Sequence, residues 1–303
     1  MNISSLVKKG FSKIKDNAIV DKLREFKQGY SPNYIGSIVL RGPIYSDDSS
    51  SEFDPDVITP DMVETFTYEA LDRGVEGLIF DISSPGGGVY PTDYIVDFLK
   101  GIDIPKIAFV REMAASGGYW IASACDEIIA NRPTSMVGSI SVIKSVRNYS
   151  KPAKFFGIEE QVFKSGKFKD FGNPFREITK EEIKREQEEI DFLHKYFVES
   201  IIENRGFDEN GAKVLNDVAN GLTYLAGEAL NYGLIDGIGS FDSAVMRIQQ
   251  LCGINSCIVE EYMAVPMTNP NNFDGEILGK KFAKGIIKGL VEYNDSKIKV
   301  YKK

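Results

Sequence analysis

Apolar residues fall along this chain in two rhythms. Short runs at Tyr34–Leu40 (YIGSIVL), Glu76–Ile82 (EGLIFDI), Lys106–Val110, Glu127–Ala130 and Val137–Ile143 have the length and content of buried strands. Between them lie segments with helical spacing. Thr59–Arg73 has Thr59 where an N-cap belongs and Pro60 at the first helical position. Further helices are expected after Pro91 and over Gly118–Cys125, which is dense in small residues. Strands and helices alternating at this length predict an α/β fold, a parallel or mixed sheet covered by helices.

The longest helix is expected over Thr179–Asn204. Thr179 and Glu182 stand in capping-box spacing, Ile183, Ile190, Leu193, Phe197 and Ile201 form an apolar stripe, and Gly206 supplies the stop. Shorter helices follow to about Leu251. The two ends differ from this middle. Residues 1–30 are polar and basic, with Leu6, Val7, Phe11, Ile14, Val20 and Leu23 at near-helical spacing among lysines, and Ser31-Pro32 reads as a break. Residues 266–303 are a Lys-rich tail with a helix expected near Ile277–Val291. The organisation expected is a basic helical extension (1–30), one main domain (31–265) and the tail (266–303). A Ser/Asp-rich stretch from Tyr45 to Pro55 reads as a surface loop.

Composition narrows the function classes. The 303 residues are 43% hydrophobic and carry a net charge of −8, an ordinary globular mix without the basic excess of a general nucleic-acid binder. Cys125, Cys252 and Cys257 lack zinc-site spacing and read as reduced thiols, which fits a reducing, cytoplasmic setting. No run approaches the roughly 20 apolar residues of a membrane span. The segment 4–26 reads either as a packed N-terminal helix or as one lying on the inner membrane surface as a peripheral contact.

The chain has one histidine, His194, in the middle of the long helix at a packing position. A multi-histidine metal site is therefore excluded, and a hydrolase on this chain needs another base. Three segments are candidates for chemistry. Ser84-Pro85-Gly86-Gly87-Gly88 follows a strand; its glycines let the backbone approach a ligand, or simply make a tight turn. Ser116, in Ala114-Ala115-Ser116-Gly117-Gly118-Tyr119, stands where a helix begins and reads equally as an N-cap or as an open nucleophile. Lys164, Lys167 and Lys169 crowd one turn, a solvated basic patch or the source of a lysine base. Such a base needs its pKa brought down from about 10.4 toward about 7–8.

Taken in order, S-P-G-G-G, A-S-G-G-Y, V-G-S-I and S-G-K-F-K-D resemble the S49 peptidases, the signal peptide peptidase A family, and Gly221–Ser243 is similar to the region that follows the family's lysine. The likeness covers about residues 34–250. It implies a single catalytic domain of ClpP/crotonase-like fold, a superhelix of strand-strand-helix units with helical extensions at both ends. It implies Ser116 as nucleophile, Lys169 as base, Ser139 as the residue orienting the lysine, and the backbone N–H groups of Gly87 and Gly117 as the oxyanion hole. It also implies peptide substrates, no metal or cofactor, and a homo-oligomeric ring in which one protomer's serine meets its neighbour's lysine. Ser83, Ser141 and Leu222 depart from residues common in the family, without touching the dyad. Alternative readings are an acyl-CoA enzyme of the crotonase fold, a phage-type maturation peptidase, or a non-catalytic scaffold.

Overall fold

Residues 32–46, 56–264 and 298–302 are described in this computed structural model. The N-terminal extension with its 4–26 segment, most of the 45–55 loop and the helix expected at 277–291 lie outside the described residues.

The first half of the chain alternates as its apolar rhythm requires: β1 (Tyr34–Arg41), α1 (Pro60–Asp72), β2 (Val75–Ser84), α2 (Val89–Lys100), β3 (Lys106–Ala115), α3 (Gly117–Ser123), β4 (Glu127–Ala130) and β5 (Met136–Gly138). α1 begins as expected, with the Thr59 hydroxyl accepting the Met62 N–H at 3.3 Å ahead of Pro60. The second half holds α4 (Ser150–Phe155), α5 (Lys180–Arg205), α6 (Glu209–Val218), β6 (Thr223–Leu225), α7 (Ala226–Asn231), β7 (Gly237–Ile238), α8 (Phe241–Cys252) and β8 (Ser256–Tyr262). The Lys-rich tail contributes a strand, β9 (Ile298–Lys302), antiparallel to β8 with Ser256 opposite Lys302.

The strands form one sheet in the order β6-β5-β3-β2-β1-β8-β9, with β4 and β7 branching from β3. β1, β2 and β3 are parallel neighbours, as strand–helix–strand connections require. On the edge away from β2, β3 serves two partners. Its first half, Ile107–Val110, pairs with β4, and its last residues, Met113–Ala115, pair with β5. This handover places the ends of β3 and β5 side by side. Mixed α/β architecture of alternating strand–helix units about a central sheet is thus what the chain forms.

Each face of the sheet has its own core. One buries Ile38, Leu40, Leu78, Phe80 and Ile82 under α1, α2 and α3, and the other buries Ile35, Ile79, Ile107 and Phe109 under α8. Beyond the end of α8 the second face turns polar. Asp81, 2% exposed, accepts from Arg111 through both carboxylate oxygens and pairs with Arg41 at 2.9 Å. A buried carboxylate held this way costs about 3–5 kcal/mol if its partners are removed.

α5 has the capping box expected of Thr179 and Glu182 and ends on Gly206 in the left-handed conformation, φ 60°. Its C-terminal half packs on α3: Trp120 stacks on Phe197 at 4.5 Å and donates its indole N–H to the Ser200 hydroxyl at 2.8 Å. Its N-terminal half differs from the expected buried stripe. Phe197 and Ile201 are buried, whereas Ile183 is exposed, and the buried residue of that end is Glu182, turned toward Arg176 of the preceding segment. His194 is half-buried on the same helix and makes no hydrogen bond among the described residues.

A second difference concerns the strand expected over Val137–Ile143. It stops at Gly138, because Gly138 at φ 108° and Ser139 at φ 52° turn the chain, and the Ser139 N–H goes to the Leu222 carbonyl at 2.7 Å. From there to α5 the chain leaves the sheet as an arm whose only helix among the described residues is α4. Ile143 is 89% and Phe163 is 92% exposed there, with Phe155 and Phe156 also outside.

Candidate active site

Four of the five residues singled out in the sequence converge at the C-terminal ends of β2, β3 and β5. Ser116 follows the last residue of β3 and precedes α3. Its backbone is at φ 53° and ψ −123°, a conformation costly for any residue but glycine and characteristic of functional positions. The strain is held in place by the sheet: Ala115 pairs with Gly138, and the Ser116 N–H donates to the Gly138 carbonyl at 2.7 Å. Ser139, the next residue, is the other non-glycine residue at positive φ among the described residues. The two serines are thus set side by side by adjacent parallel strands.

The structure bears on the N-cap reading of Ser116. It occupies the N-cap position of α3, yet its side chain makes no capping hydrogen bond. Ser116 is partly exposed and its hydroxyl has no hydrogen-bond partner among the described residues, so capping does not account for it.

The glycine turn after β2 lies directly against it. A β-carbon on Gly86 would stand 2.7 Å from the Ser116 β-carbon, and one on Gly117 would stand 2.5 Å from the Thr92 hydroxyl oxygen. Only glycines allow the two turns to close on each other. Ile44 ties the first turn down, donating to the Gly86 carbonyl at 2.9 Å and accepting the Gly88 N–H at 2.8 Å. Neither the Gly87 N–H nor the Gly117 N–H has an acceptor among the described residues. Two unpaired backbone donors beside an unengaged hydroxyl are the elements that stabilise a developing oxyanion.

Lys169 lies elsewhere, exposed in the turn that runs through residues 165–172 of the arm. No hydrogen bond joins it to Ser116 or Ser139 within the protomer. The turn itself is firmly built. Asp170 accepts from Arg176 at 2.9 Å and pairs with Lys164, and Arg176 also grips Glu182 with two donors. These cations hold both carboxyls well below their usual range, each at about 2, Arg176 being the largest cause in both. Lys167 pairs with Glu181. Of Lys164, Lys167 and Lys169, the last alone has no carboxylate partner among the described residues.

At the glycine turns, Ser84 enters from the sequence only as the opening of the S-P-G-G-G segment, and Thr92 is not singled out. Ser84 and Thr92 are buried hydroxyls that bond to the backbone of the first turn. Their signal was present, a serine opening S-P-G-G-G and a threonine one helical turn beyond it, but either residue reads locally as helix or turn punctuation.

The cysteines lie apart as free thiols; burial pushes Cys125 up to about 12 and Cys252 up to about 11. Among the described residues no group of three or more His, Cys, Asp or Glu is placed to hold a metal, and no helix is long and apolar enough to cross a membrane.

An α/β domain with a strained serine beside two free backbone donors belongs to the hydrolase-like class of sites. Comparison with known proteins makes this specific: the family model for Peptidase family S49 matches residues 99–255, over half of the chain, and the chain belongs to that family. It is 33% identical over 215 residues to a candidate signal peptide peptidase SppA of Enterococcus faecium, covering 70% of this chain and 60% of that one. It is 31% identical over 193 residues to a candidate protease of Methanocaldococcus jannaschii, covering 63% and 61%. The chain therefore spans about three fifths of the length of these curated relatives. A solved structure of the 1510-N membrane-bound stomatin-specific protease, a serine-to-alanine mutant, has 17% identity and a TM-score of 0.47 over 73% of this chain and 86% of that one.

Proposed function

We propose that this chain is a serine endopeptidase working through a Ser-Lys dyad, with remnant signal peptides or other short unfolded polypeptides as substrates. The observation that carries the reading is the Ser116 backbone at φ 53°, its hydroxyl unengaged, against the unpaired N–H groups of Gly87 and Gly117.

In this reading Ser116 Oγ forms a bond to the peptide carbonyl carbon while its proton passes to Lys169 Nζ. The carbonyl electron pair moves onto oxygen, where Gly87 and Gly117 donate to it. Collapse breaks the C–N bond, Lys169 returns the proton to the leaving amine, and water then releases the acyl group by the same path. Ser139 orients the lysine amine.

Lys169 reaches Ser116 from a neighbouring copy. The exposed position of its turn and the exposed apolar residues of the same arm support this, since oligomerisation would bury both. The setting is cytoplasmic, with residues 4–26 as a peripheral membrane contact; unchanged membrane partitioning after removal of residues 1–30 would overturn that last element.

The test is hydrolysis of a fluorogenic peptide library by the wild type, Ser116→Ala, Lys169→Ala and an equimolar mixture of the two variants. Each single variant should be inactive, and mixing should restore activity. Hydrolysis by Ser116→Ala would refute the nucleophile, and failure to recover on mixing would refute the shared site.

A further inference from the structure

The backbone of the first glycine turn can be accounted for group by group. The Gly86 N–H donates to the Ser84 hydroxyl at 3.1 Å, and the Gly86 carbonyl accepts from Ile44 at 2.9 Å. The Gly88 N–H donates to the Ile44 carbonyl at 2.8 Å, and the Gly88 carbonyl accepts the Thr92 hydroxyl at 2.7 Å and the Thr92 N–H at 3.3 Å. The polar groups of Gly86 and Gly88 are thus engaged, while the N–H of Gly87 has no acceptor among the described residues. Gly87 is itself exposed, so its N–H is left available within a turn whose neighbouring groups are fixed.

Thr92 contributes on two sides. Fully buried in α2, it fixes the Gly88 carbonyl through its hydroxyl. The same oxygen and the γ-methyl also press on Gly117, where an added β-carbon would meet them at 2.5 and 3.1 Å. One side chain therefore sets the separation of the two turns that carry the free donors. Ser84 is its counterpart on the strand side. Besides holding Gly86, its backbone oxygen lies 2.9 Å, and its β-carbon 3.0 Å, from where a β-carbon on Gly118 would stand.

We propose that Thr92, assisted by Ser84, is a positioning residue of the oxyanion hole: its hydroxyl orients the Gly87 N–H through Gly88 while its side chain spaces Gly87 from Gly117. This rests on the reading of Ser116 as nucleophile. Thr92 touches no reacting atom. Its effect is on the transition state, where the charge on the carbonyl oxygen grows, rather than on peptide binding.

The test compares wild type, Thr92→Val and Thr92→Ser. Valine keeps the shape and loses the hydroxyl; serine does the reverse. We would measure kcat and KM on one fluorogenic peptide, inhibition by the matching peptide aldehyde, whose hemiacetal oxygen enters the hole, and labelling of Ser116 by a fluorophosphonate. Thr92→Val should lower kcat by about 10- to 100-fold with KM nearly unchanged, and weaken aldehyde inhibition in parallel. Thr92→Ser should recover most of kcat. Unchanged kcat and aldehyde inhibition in Thr92→Val, or an equal loss in Thr92→Ser, would overturn the inference. If Thr92→Val fails to fold, Ser84→Ala carries the same comparison: loss of kcat at constant KM supports the frame, and no change refutes it. A wild type that fluorophosphonate does not label at Ser116 overturns the peptidase reading itself. A labelled wild type with an unaltered Thr92→Val overturns this inference alone.

Discussion

Ser116 donates its backbone N–H to the carbonyl of Gly138 at 2.7 Å, so the residue that follows β3 and the residue that ends β5 are locked together. Both serines at positive φ flank this bond, Ser116 as its donor and Ser139 as the next residue along. The contact makes the strain at each serine a property of the sheet rather than of a loop.

Replacing Ser116 by glycine should therefore separate stability from activity. Glycine tolerates φ 53°, and relief of strain should outweigh its greater freedom in the unfolded chain by about 1 kcal/mol. The expected outcome is a midpoint raised by roughly 2 °C with hydrolysis abolished. Calorimetry beside the peptide assay checks it, and a lowered midpoint would mean the serine conformation is not strained.

Gly86→Ala should do the opposite. The new methyl would meet the Ser116 β-carbon at 2.7 Å, at a position already at φ 93°. A loss of about 2–4 kcal/mol with complete loss of activity is expected from clash and backbone strain together. Denaturant titration measures the first and fluorophosphonate labelling the second.

The ionic turn around Lys169 should be acid-sensitive. Asp170 and Glu182 lie at about 2 instead of their ordinary 3.8 and 4.5. Carboxyls depressed by folding add stability that is complete above their unfolded values and is lost as pH falls from about 4 toward 2. Amides 164–182 should then exchange faster over that window, read by hydrogen-exchange mass spectrometry. Arg176→Gln should loosen the same segment at neutral pH, and wild-type-like protection in that variant would argue against the network as the brace.

Charge placed on the arm should disperse the oligomer. Phe155→Asp with Phe163→Asp puts carboxylates on two exposed aromatic positions without disturbing the buried core. Sedimentation should shift toward the monomer and peptide hydrolysis should fall with it. Full activity in a purely monomeric variant would mean that Lys169 serves its own chain.

What the sequence made legible was whatever is decided within a few residues. The Thr59 cap, the Thr179–Glu182 box and the Gly206 stop each depend on neighbours one helical turn away, and each forms as read. The glycine turns were legible for the same reason. Interactions between distant segments were not. Asp81 sits in an apolar strand run, and its partners Arg41 and Arg111 come from two other strands. β9 takes its partner from β8, with the whole tail between them. The early end of β5 depended on Leu222 capturing the Ser139 N–H. The stripe on α5 correctly marked an apolar face, but periodicity does not say whether that face meets its own chain or another.

The register of β1 bears on how this chain reaches its native state. Tyr34 lies beside Val75 on one side and beside Ile258 on the other. The first neighbour arrives through a local strand–helix–strand unit, whereas the second is separated by nearly the whole domain. Closing that second pairing demands a large loop entropy, which makes it a late and slow event. Until β8 docks, β1 exposes a row of unpaired backbone groups beside Ile35 and Ile38, an edge open to the wrong partner. Refolding yield should consequently fall with protein concentration, because a chain that has paired β1 with β2 but not with β8 carries that open edge.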